Sequence, residues 1–410
     1  MTRKHTLNEL AKSIFSLASI DVLGMLIPIM LMPILTSRLG LDDYGQYLLV
    51  MTILFFGQTI IDFGVQFTGV RSISKNFNKK KIKGIIYSDH QTLRILLMIV
   101  YTLIVFIYAN VTENYLLSGW GVLLVLSYYL GYILLSAWYL QATHRTQILL
   151  YASLTIKITN LTIIYFLVKD TNDLNILMIS STVPNLIVGS LVGYYIIKKE
   201  KIKKIVRFKN VKSTFNNGKN IFIGIAAPNL YNAIPMIIVG SYADPALFAD
   251  YAIALKICSI IFMLQNVLTK ALYPILSRGT EISLKFVLAL NLFLSVPFSI
   301  IISLFGVDII NFLLHVKISD PIYLIIISIS LIFVGISGTI SKGYLLPNGL
   351  DKLYKDISIR VSLISMVISI FLIYNFGVFG AALSLFIARL IFLMDYTTQA
   401  IIVFKGRHEK

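Results

Sequence analysis

Long apolar segments constrain this chain more than any other feature of its sequence. A helix needs about 20 apolar residues to cross a bilayer, and runs of that kind predict twelve membrane-spanning helices. Soluble domains have about 25% charged residues, whereas this chain of 410 residues has 13% charged and 57% hydrophobic residues. We therefore expect an all-α integral membrane protein. The predicted spans are 13–36, 44–69, 94–110, 117–140, 147–168, 174–197, 220–242, 249–275, 284–305, 320–341, 356–375 and 378–404.

The basic residues are distributed unevenly between the two sides of these spans. Of the 36 Lys and Arg residues, 28 fall on one side, three on the other, and five lie within spans. Loops rich in Lys and Arg stay in the cytoplasm, so we expect both termini to be cytoplasmic. The net charge of +17 then reflects membrane topology, and no nucleic-acid partner is expected. The first apolar run passes twenty residues without a small-residue cleavage site, which favours a retained helix over a signal peptide.

The chain can be read as two halves with six spans each. We predict an N-terminal six-helix lobe over 1–197, a cytoplasmic basic linker over 198–219 and a C-terminal six-helix lobe over 220–410. The linker would attract anionic lipid headgroups or bind a cytoplasmic partner. At an offset near 204 residues, the segment 44–47 (YGQY) lies opposite 248–251 (FADY). Equal span counts favour two pseudo-symmetric lobes around a central cavity, an architecture for alternating access.

Short motifs occur in a fixed order along both halves. The first half contains PILTSRLG at 33–40 with YGQY at 44–47, DFG at 62–64 with Arg71, and AWYLQA at 137–142. The second half contains Tyr251 and Ala252 with Lys256, YPILSR at 273–278, and FGVFGAA at 376–382. In order and spacing, these motifs resemble the polysaccharide repeat-unit flippases, the Wzx type of the multidrug/oligosaccharidyl-lipid/polysaccharide exporter superfamily.

This resemblance implies a transporter of the bacterial inner membrane. Its substrate would be an undecaprenyl-diphosphate-linked oligosaccharide, moved from the inner to the outer leaflet for the synthesis of O-antigen, lipopolysaccharide or capsule. The partners would be this lipid-linked substrate and membrane lipids, with a polysaccharide polymerase and a chain-length regulator as open expectations. No cofactor is expected. The identity of the glycan stays open.

Basic side chains inside predicted spans are costly, so each is a candidate for function. Lys157 lies near the middle of the fifth span, Lys256 in the outer part of the eighth, and Arg389 mid-way along the twelfth. We predict that these three residues contact the diphosphate. The alternatives are a carboxylate partner for Lys157, snorkelling for Lys256, and a pair between Arg389 and Asp395 or a carbonyl of a neighbouring helix.

Polar and acidic residues inside spans add further candidates. Asn229 and Asn232, in the proline-interrupted seventh span, suit sugar hydroxyls because amides both donate and accept; hydrogen bonds between helices are the alternative. Asp21 and Asp62, in the first two spans, are candidates for proton or cation coupling. The alternative for Asp62 is a helix cap or a pair with Arg71.

The sequence disfavours several other functions. No G-x-x-x-x-G-K-[ST] motif is present, so nucleotide hydrolysis is not expected. Cys258 is the only cysteine and no histidine shares helical spacing with acids, so we predict neither a disulfide nor a metal site. Short outward loops disfavour a membrane polymerase, and we expect no enzyme. A cation-coupled multidrug antiporter of the same superfamily remains the main alternative, although bases outnumber acids in the central spans.

Overall fold

The chain folds almost entirely into α-helices in a computed structural model. The structure describes residues 3–202, 206–276, 284–314, 321–346, 348 and 350–408, and no β-strand occurs in these ranges. Side chains are described over the same ranges outside 3–23, 25–26, 29, 267, 269–276, 313–314, 351 and 404–408. The helices are α1 (Arg3–Asp62), α2 (Val65–Lys75), α3 (Lys80–Val111), α4 (Trp120–Leu135), α5 (Ala137–Ala142), α6 (Thr146–Leu167), α7 (Leu174–Glu200), α8 (Val211–Ala226), α9 (Asn229–Tyr242), α10 (Pro245–Leu276), α11 (Leu284–Leu314), α12 (Ile322–Ile340) and α13 (Asp351–His408).

The helices are long and apolar enough to make this a multi-pass membrane protein. In the described ranges, nine helical segments meet the length and hydropathy of a membrane span, or ten when α8 and α9, bent by 67°, count as one broken span. All-α membrane architecture is therefore confirmed. The predicted number of twelve spans is not confirmed. The segment Lys352–Val403 covers two predicted spans almost entirely, and Met30–Lys75 covers the second predicted span with the last residues of the first.

Two glycines break the longest helices at the boundaries between predicted spans. The apolar segment Lys352–Val403 has 52 residues, which would extend roughly 78 Å as one straight helix, far beyond a hydrocarbon core of about 30 Å. It turns at Gly377, where φ is 56° and ψ is −129°. Gly40 breaks α1 in the same way, with φ 76° and ψ 178°. Glycine suits both positions because side chains disfavour positive φ.

Two further breaks bring short helices α2 and α5 together. Phe63 (φ 46°) and Gly64 (φ 72°) separate α1 from α2, and Ser136 (φ 47°) separates α4 from α5. A Cβ atom at Gly69 of α2 would lie 2.6 Å from the ring of Trp138 in α5, whose side chain is only 1% exposed. Only glycine therefore lets α2 pack this closely on the indole.

The predicted third span is longer than its apolar core suggests. It is α3, with 32 residues, and Arg94, expected at its cytoplasmic end, is 1% exposed within it. Nη1 of Arg94 donates to the carbonyl oxygen of Ile133 at 3.3 Å and to Oε1 of Gln91 at 3.1 Å. Ile133 lies in the last turn of α4, where carbonyls lose their helical partners. The same carbonyl oxygen accepts from Nε2 of Gln91 at 2.8 Å and from Oγ of Ser136 at 2.9 Å, so the guanidinium is one of several donors at the break.

Arg38 caps the end of a neighbouring helix. Its Nη1 donates to the carbonyl oxygens of Ile164 (3.1 Å), Tyr165 (2.8 Å) and Val168 (2.6 Å). These carbonyls belong to the C-terminal end of α6, where a cation interacts favourably with the helix dipole. Arg38 is one of the three basic residues predicted on the side with few basic residues, and these contacts give it a structural role.

The chain forms two compact units. The N-terminal unit comprises Met1–Asp43 and Val50–Ala226, and the C-terminal unit comprises Tyr44–Leu49 and Ala227–Lys410. Trp138, Tyr139 and Ile196 are among the core residues of the first unit; Leu345, Ile357 and Val361 are among those of the second. The predicted lobes and linker, with boundaries at 197 and 220, stay a prediction.

One contact joins corresponding positions of the predicted repeat. Gly45 and Ala249 are separated by the offset of 204 residues, and both belong to the C-terminal unit. A Cβ atom at Gly45 would lie 3.3 Å from the Cβ of Ala249 and 2.4 Å from the carbonyl oxygen of Pro245. Any side chain at position 45 would force the backbone at Pro245 to move.

Candidate functional site

A polar cavity of about 430 Å³ lies within the C-terminal unit. Five helices line it, and α10, α12 and α13 each contribute residues spaced three or four apart, which places those residues on one helical face. From α10 come Leu255, Ser259, Phe262, Gln265 and Asn266; from α12, Val334, Ser337, Gly338 and the following Ser341; from the second arm of α13, Leu385, Arg389, Phe392 and Tyr396. The cavity is therefore formed by packed helices and not by loops.

The charges along this cavity are positive. Lys342 and Arg389 are its two cations, and no Asp or Glu stands among the lining residues that the structure describes. Asn232, Gln265, Asn266 and Asn291 supply amides to the same wall. Such a cavity favours an anionic ligand with hydroxyl groups and disfavours an organic cation.

Arg389 is held by a neutral partner. Its Nη1 donates to Oγ of Ser330 in α12 at 2.7 Å. Asp395, the carboxylate partner considered from the sequence, instead forms a bidentate pair with Arg360, whose Nη2 and Nε lie 2.6 and 3.0 Å from its oxygens. No ion pair of Arg389 occurs in the described part of the chain, so its charge is oriented without being neutralised there.

Lys342 lines the cavity but was not predicted from the sequence. The predicted tenth span ends at residue 341, which placed Lys342 in a cytoplasmic loop. In the structure, α12 continues into a π-helical turn, Ser341–Leu345, and Nζ of Lys342 donates to Oδ1 of Asn266 at 2.5 Å. Val334, Gly338 and Lys342 lie four residues apart on one helical face, and this spacing was the available signal.

Aromatic rings form a second part of the cavity wall. Tyr231 and Phe392 have ring centroids 5.3 Å apart, Phe392 and Tyr396 are 5.9 Å apart, and Tyr354 stacks on Tyr396 at 6.2 Å. The hydroxyl groups of Tyr396 and Ser358 are 3.3 Å apart. Rings beside amides offer apolar faces and hydrogen-bonding groups together, a combination that suits sugars.

The cavity brings together only some of the residues predicted from the sequence. Arg389 and Asn232 line it, and Nδ2 of Asn232 also donates to the carbonyl oxygen of Pro228 at 2.9 Å. Asn229 and Lys256 are not among its lining residues. Lys256 is the neighbour of Leu255, which does line the cavity.

The remaining candidates lie in the N-terminal unit. Lys157 of α6 is half-buried, and its Nζ is 3.3 Å from the position of a Cβ atom at Gly24 of α1. Oδ2 of Asp62 accepts from the backbone N–H of Gln66 at 3.2 Å, which supports the capping alternative. Asp21 lies in α1, and its side chain is outside the described set. Anion contact by Lys157 and ion coupling by Asp21 and Asp62 stay predictions.

Comparisons with known proteins agree with this architecture. A model of the family described as polysaccharide biosynthesis protein matches residues 10–280. A protein of Shigella dysenteriae, described provisionally as an O-antigen transporter, is 21% identical over 399 residues, which cover 93% of this chain and 98% of that relative.

Solved structures of similar fold include two membrane transporters. The lipid II flippase MurJ, in an inward closed conformation, has a TM-score of 0.69 at 16% identity and covers 94% of this chain and 87% of its own. An inward-facing multidrug resistance transporter of the MATE family has a TM-score of 0.68 at 12% identity, with 97% and 99% covered. At these identities the likeness establishes the fold alone.

Proposed function

Since the chain belongs to the polysaccharide biosynthesis protein family, we propose that it flips an undecaprenyl-diphosphate-linked oligosaccharide from the inner to the outer leaflet of a bacterial inner membrane. The observation that carries this proposal is the cavity of the C-terminal unit, which holds Lys342 and Arg389 without a described acid. The product would serve O-antigen or capsule synthesis, where a polymerase and a chain-length regulator would act on it.

The diphosphate is the part of this substrate that most needs a protein. Moving ionised groups from water into a medium of low dielectric constant is very costly unless opposite charge and hydrogen bonds replace the water. The planar fork of Arg389 can bind two phosphate oxygens at once, and Lys342 adds a compact positive charge. The two cations therefore offset the desolvation of the diphosphate.

The oligosaccharide would occupy the amide-rich and aromatic part of the wall. Asn232, Gln265 and Asn291 present side-chain amides, and Tyr354 and Tyr396 present stacked rings. Groups that can both donate and accept tolerate several arrangements of hydroxyls. The polyprenyl chain can stay in the bilayer because it is as apolar as the lipid tails.

Transport would follow alternating access, with energy from an ion gradient or from consumption of the product outside. The likeness of fold to an inward-facing transporter supports this mechanism. We retain Lys157, Lys256 and Asn229 as contacts elsewhere on the path, and Asp21 and Asp62 as coupling candidates. Both termini would lie in the cytoplasm, on the side that carries most of the basic residues.

A multidrug antiporter is the second candidate, and the fold shared with a MATE transporter is the observation in its favour. An organic cation would need acids or aromatic faces in its cavity. The C-terminal unit offers the rings, but its two cations would repel such a ligand. The charge of the cavity therefore favours the flippase.

Surface polysaccharide synthesis tests the proposal. In a deletion strain of the bacterium that carries this gene, R389Q and K342Q should restore much less surface glycan than the wild-type chain, and lipid-linked repeat units should accumulate inside. K355Q removes one exposed charge from α13 and serves as the matched control. Normal glycan from an R389Q/K342Q double variant that inserts normally would overturn the proposal, and a drug-sensitive deletion strain with unchanged glycan would favour the antiporter.

A further inference from the structure

A second cavity, of about 730 Å³, lies within the N-terminal unit. It forms where the start of α3 meets the end of α7 and the segment 206–210 that follows. Four cations line it: Lys80, Lys81, Lys201 and Arg207. Its lining shares no residue with the cavity of the C-terminal unit.

The one acid of this cavity is already engaged. Oε1 of Glu200 accepts from Nη2 of Arg145 at 2.9 Å, and its Oε2 lies 3.5 Å from Nζ of Lys83. Neither of these two cations lines the cavity. The carboxylate is therefore neutralised by residues outside the cavity lining. Because Arg207 is paired with Asp89, the excess positive charge of the cavity comes from Lys80, Lys81 and Lys201.

Arg207 is anchored in the wall of the cavity by two contacts. Its backbone N–H donates to Oγ1 of Thr92 at 2.7 Å, and its Nη1 forms an ion pair with Oδ1 of Asp89 at 3.7 Å. The guanidinium carries further N–H donors in a planar fork. These donors can serve an oxyanion bound in the cavity.

Lys80 and Lys81 occupy an unfavourable place for lysine. They are the first two residues of α3, where the free N–H groups and the helix dipole favour negative charge. An anion seated against this helix start would remove the repulsion. Together with the Arg207 donor, this position indicates a site for phosphate oxygens.

Exposed apolar side chains lie directly beside these cations. Ile85, which lines the cavity, is 43% exposed, and Phe208 in the following segment is 66% exposed. Basic residues next to exposed apolar residues are typical of a membrane interface. A free phosphate would not cover these apolar groups, whereas acyl chains would.

We propose that this cavity binds the phosphate headgroup of an anionic phospholipid, with the acyl chains against Ile85 and Phe208. Arg207 and the start of α3 would hold the phosphate oxygens, and Lys81 and Lys201 would surround them. The bound lipid would fasten α3, α7 and the segment after α7 to one another.

Gly84 provides the space for the headgroup. A Cβ atom there would meet only Cγ1 of Ile202, at 3.7 Å, an ordinary contact distance. A larger side chain at position 84 can therefore enter the cavity without removing any charge. Such a variant distinguishes binding of an anion inside the cavity from its general attraction to a basic surface.

The first experiment measures binding of radiolabelled phosphatidylglycerol to the purified full-length protein in a neutral detergent. K80Q/K81Q should bind about thirtyfold more weakly, as expected for two lysines near an anionic headgroup. The control K198Q/K199Q removes two exposed lysines of α7 that do not line the cavity, and should change affinity less than twofold. Equal losses in both variants, or no loss in either, would overturn the proposal.

The second experiment fills the cavity and identifies the source of the phosphate. G84L should abolish high-affinity binding while the melting temperature stays unchanged, and retained binding would overturn the proposed location. Inorganic phosphate and glycerol 3-phosphate should compete poorly against the labelled lipid. Equal competition by these soluble phosphates would show a free-anion site and overturn the lipid assignment.

Discussion

Nζ of Lys342 lies 2.5 Å from Oδ1 of Asn266, and this contact ties the π-helical turn after α12 to the cavity face of α10. The partner in this contact is a neutral amide, which adds no charge of its own. A substitution at position 266 therefore tests whether the cavity favours an anionic or a cationic ligand.

The variant N266D keeps the size of the side chain and adds a carboxylate beside Lys342. We expect flipping of a diphosphate-linked oligosaccharide in reconstituted vesicles to fall by about tenfold or more, since a charge at contact distance acts by more than 1.4 kcal/mol at an effective dielectric constant near 20. N266Q is the control and should transport normally. Faster export of an organic cation by N266D would instead support the antiporter.

Filling the C-terminal cavity should block transport without unfolding the chain. Gly338 lines this cavity, and a Cβ atom there would have no atom within 4 Å. We expect G338L to insert and fold normally, by its melting temperature and gel-filtration profile, and to lose most flipping activity. G338A adds one methyl group and should retain most of it. Full activity in G338L would place the substrate elsewhere.

The contact between α2 and α5 should be intolerant of a single methyl group. G69A would bring Cβ to 2.6 Å from the Trp138 ring, and overpacking of this kind costs about 1–3 kcal/mol. We expect a lower midpoint in thermal unfolding of the purified protein. The control G84A adds the same methyl group to α3, where the nearest atom is 3.7 Å away, and should leave the midpoint unchanged or slightly higher.

Arg38 should contribute to stability and not to substrate binding. R38Q removes a charged donor shared by three carbonyl groups at the end of α6, which we expect to cost about 2 kcal/mol. The melting temperature should fall, while the apparent affinity for substrate in surviving protein stays constant. R71Q, at an exposed arginine of α2, is the control. A changed affinity in R38Q would indicate a place on the transport path.

The sequence predicted the helices well because the length and apolar composition of a membrane-spanning helix can be read from one continuous stretch of residues. Each predicted span falls mainly on helix where the structure describes it, with non-helical residues at 63–64, 117–119, 136, 168, 227–228 and 321. The predicted boundaries near 40 and 377 coincide with glycine breaks. Arg94 is the first residue of the predicted third span, but it is buried well inside α3, which begins at Lys80. Its position depends on the carbonyl of Ile133 in another helix, and no apolar pattern records that contact.

The candidate site was predicted only in part for a related physical reason. Apolar patterns locate a helix along the chain but fix its rotation poorly when most of its faces are apolar. Arg389 lines the cavity, whereas Lys256 misses its lining by one residue. Lys342 was assigned to a loop because hydropathy falls at residue 341, although hydrogen bonding continues through the π-helical turn.

The indole of Trp138, enclosed between α2 and the breaks at Gly64 and Ser136, gives this protein a built-in optical reporter. The chain has only two tryptophans, and the other, Trp120, is 82% exposed. Replacing Trp120 with phenylalanine would leave a single emitter in the helical core. Its emission wavelength and quenching by aqueous iodide would then register any loosening at those breaks during turnover, without a chemical label.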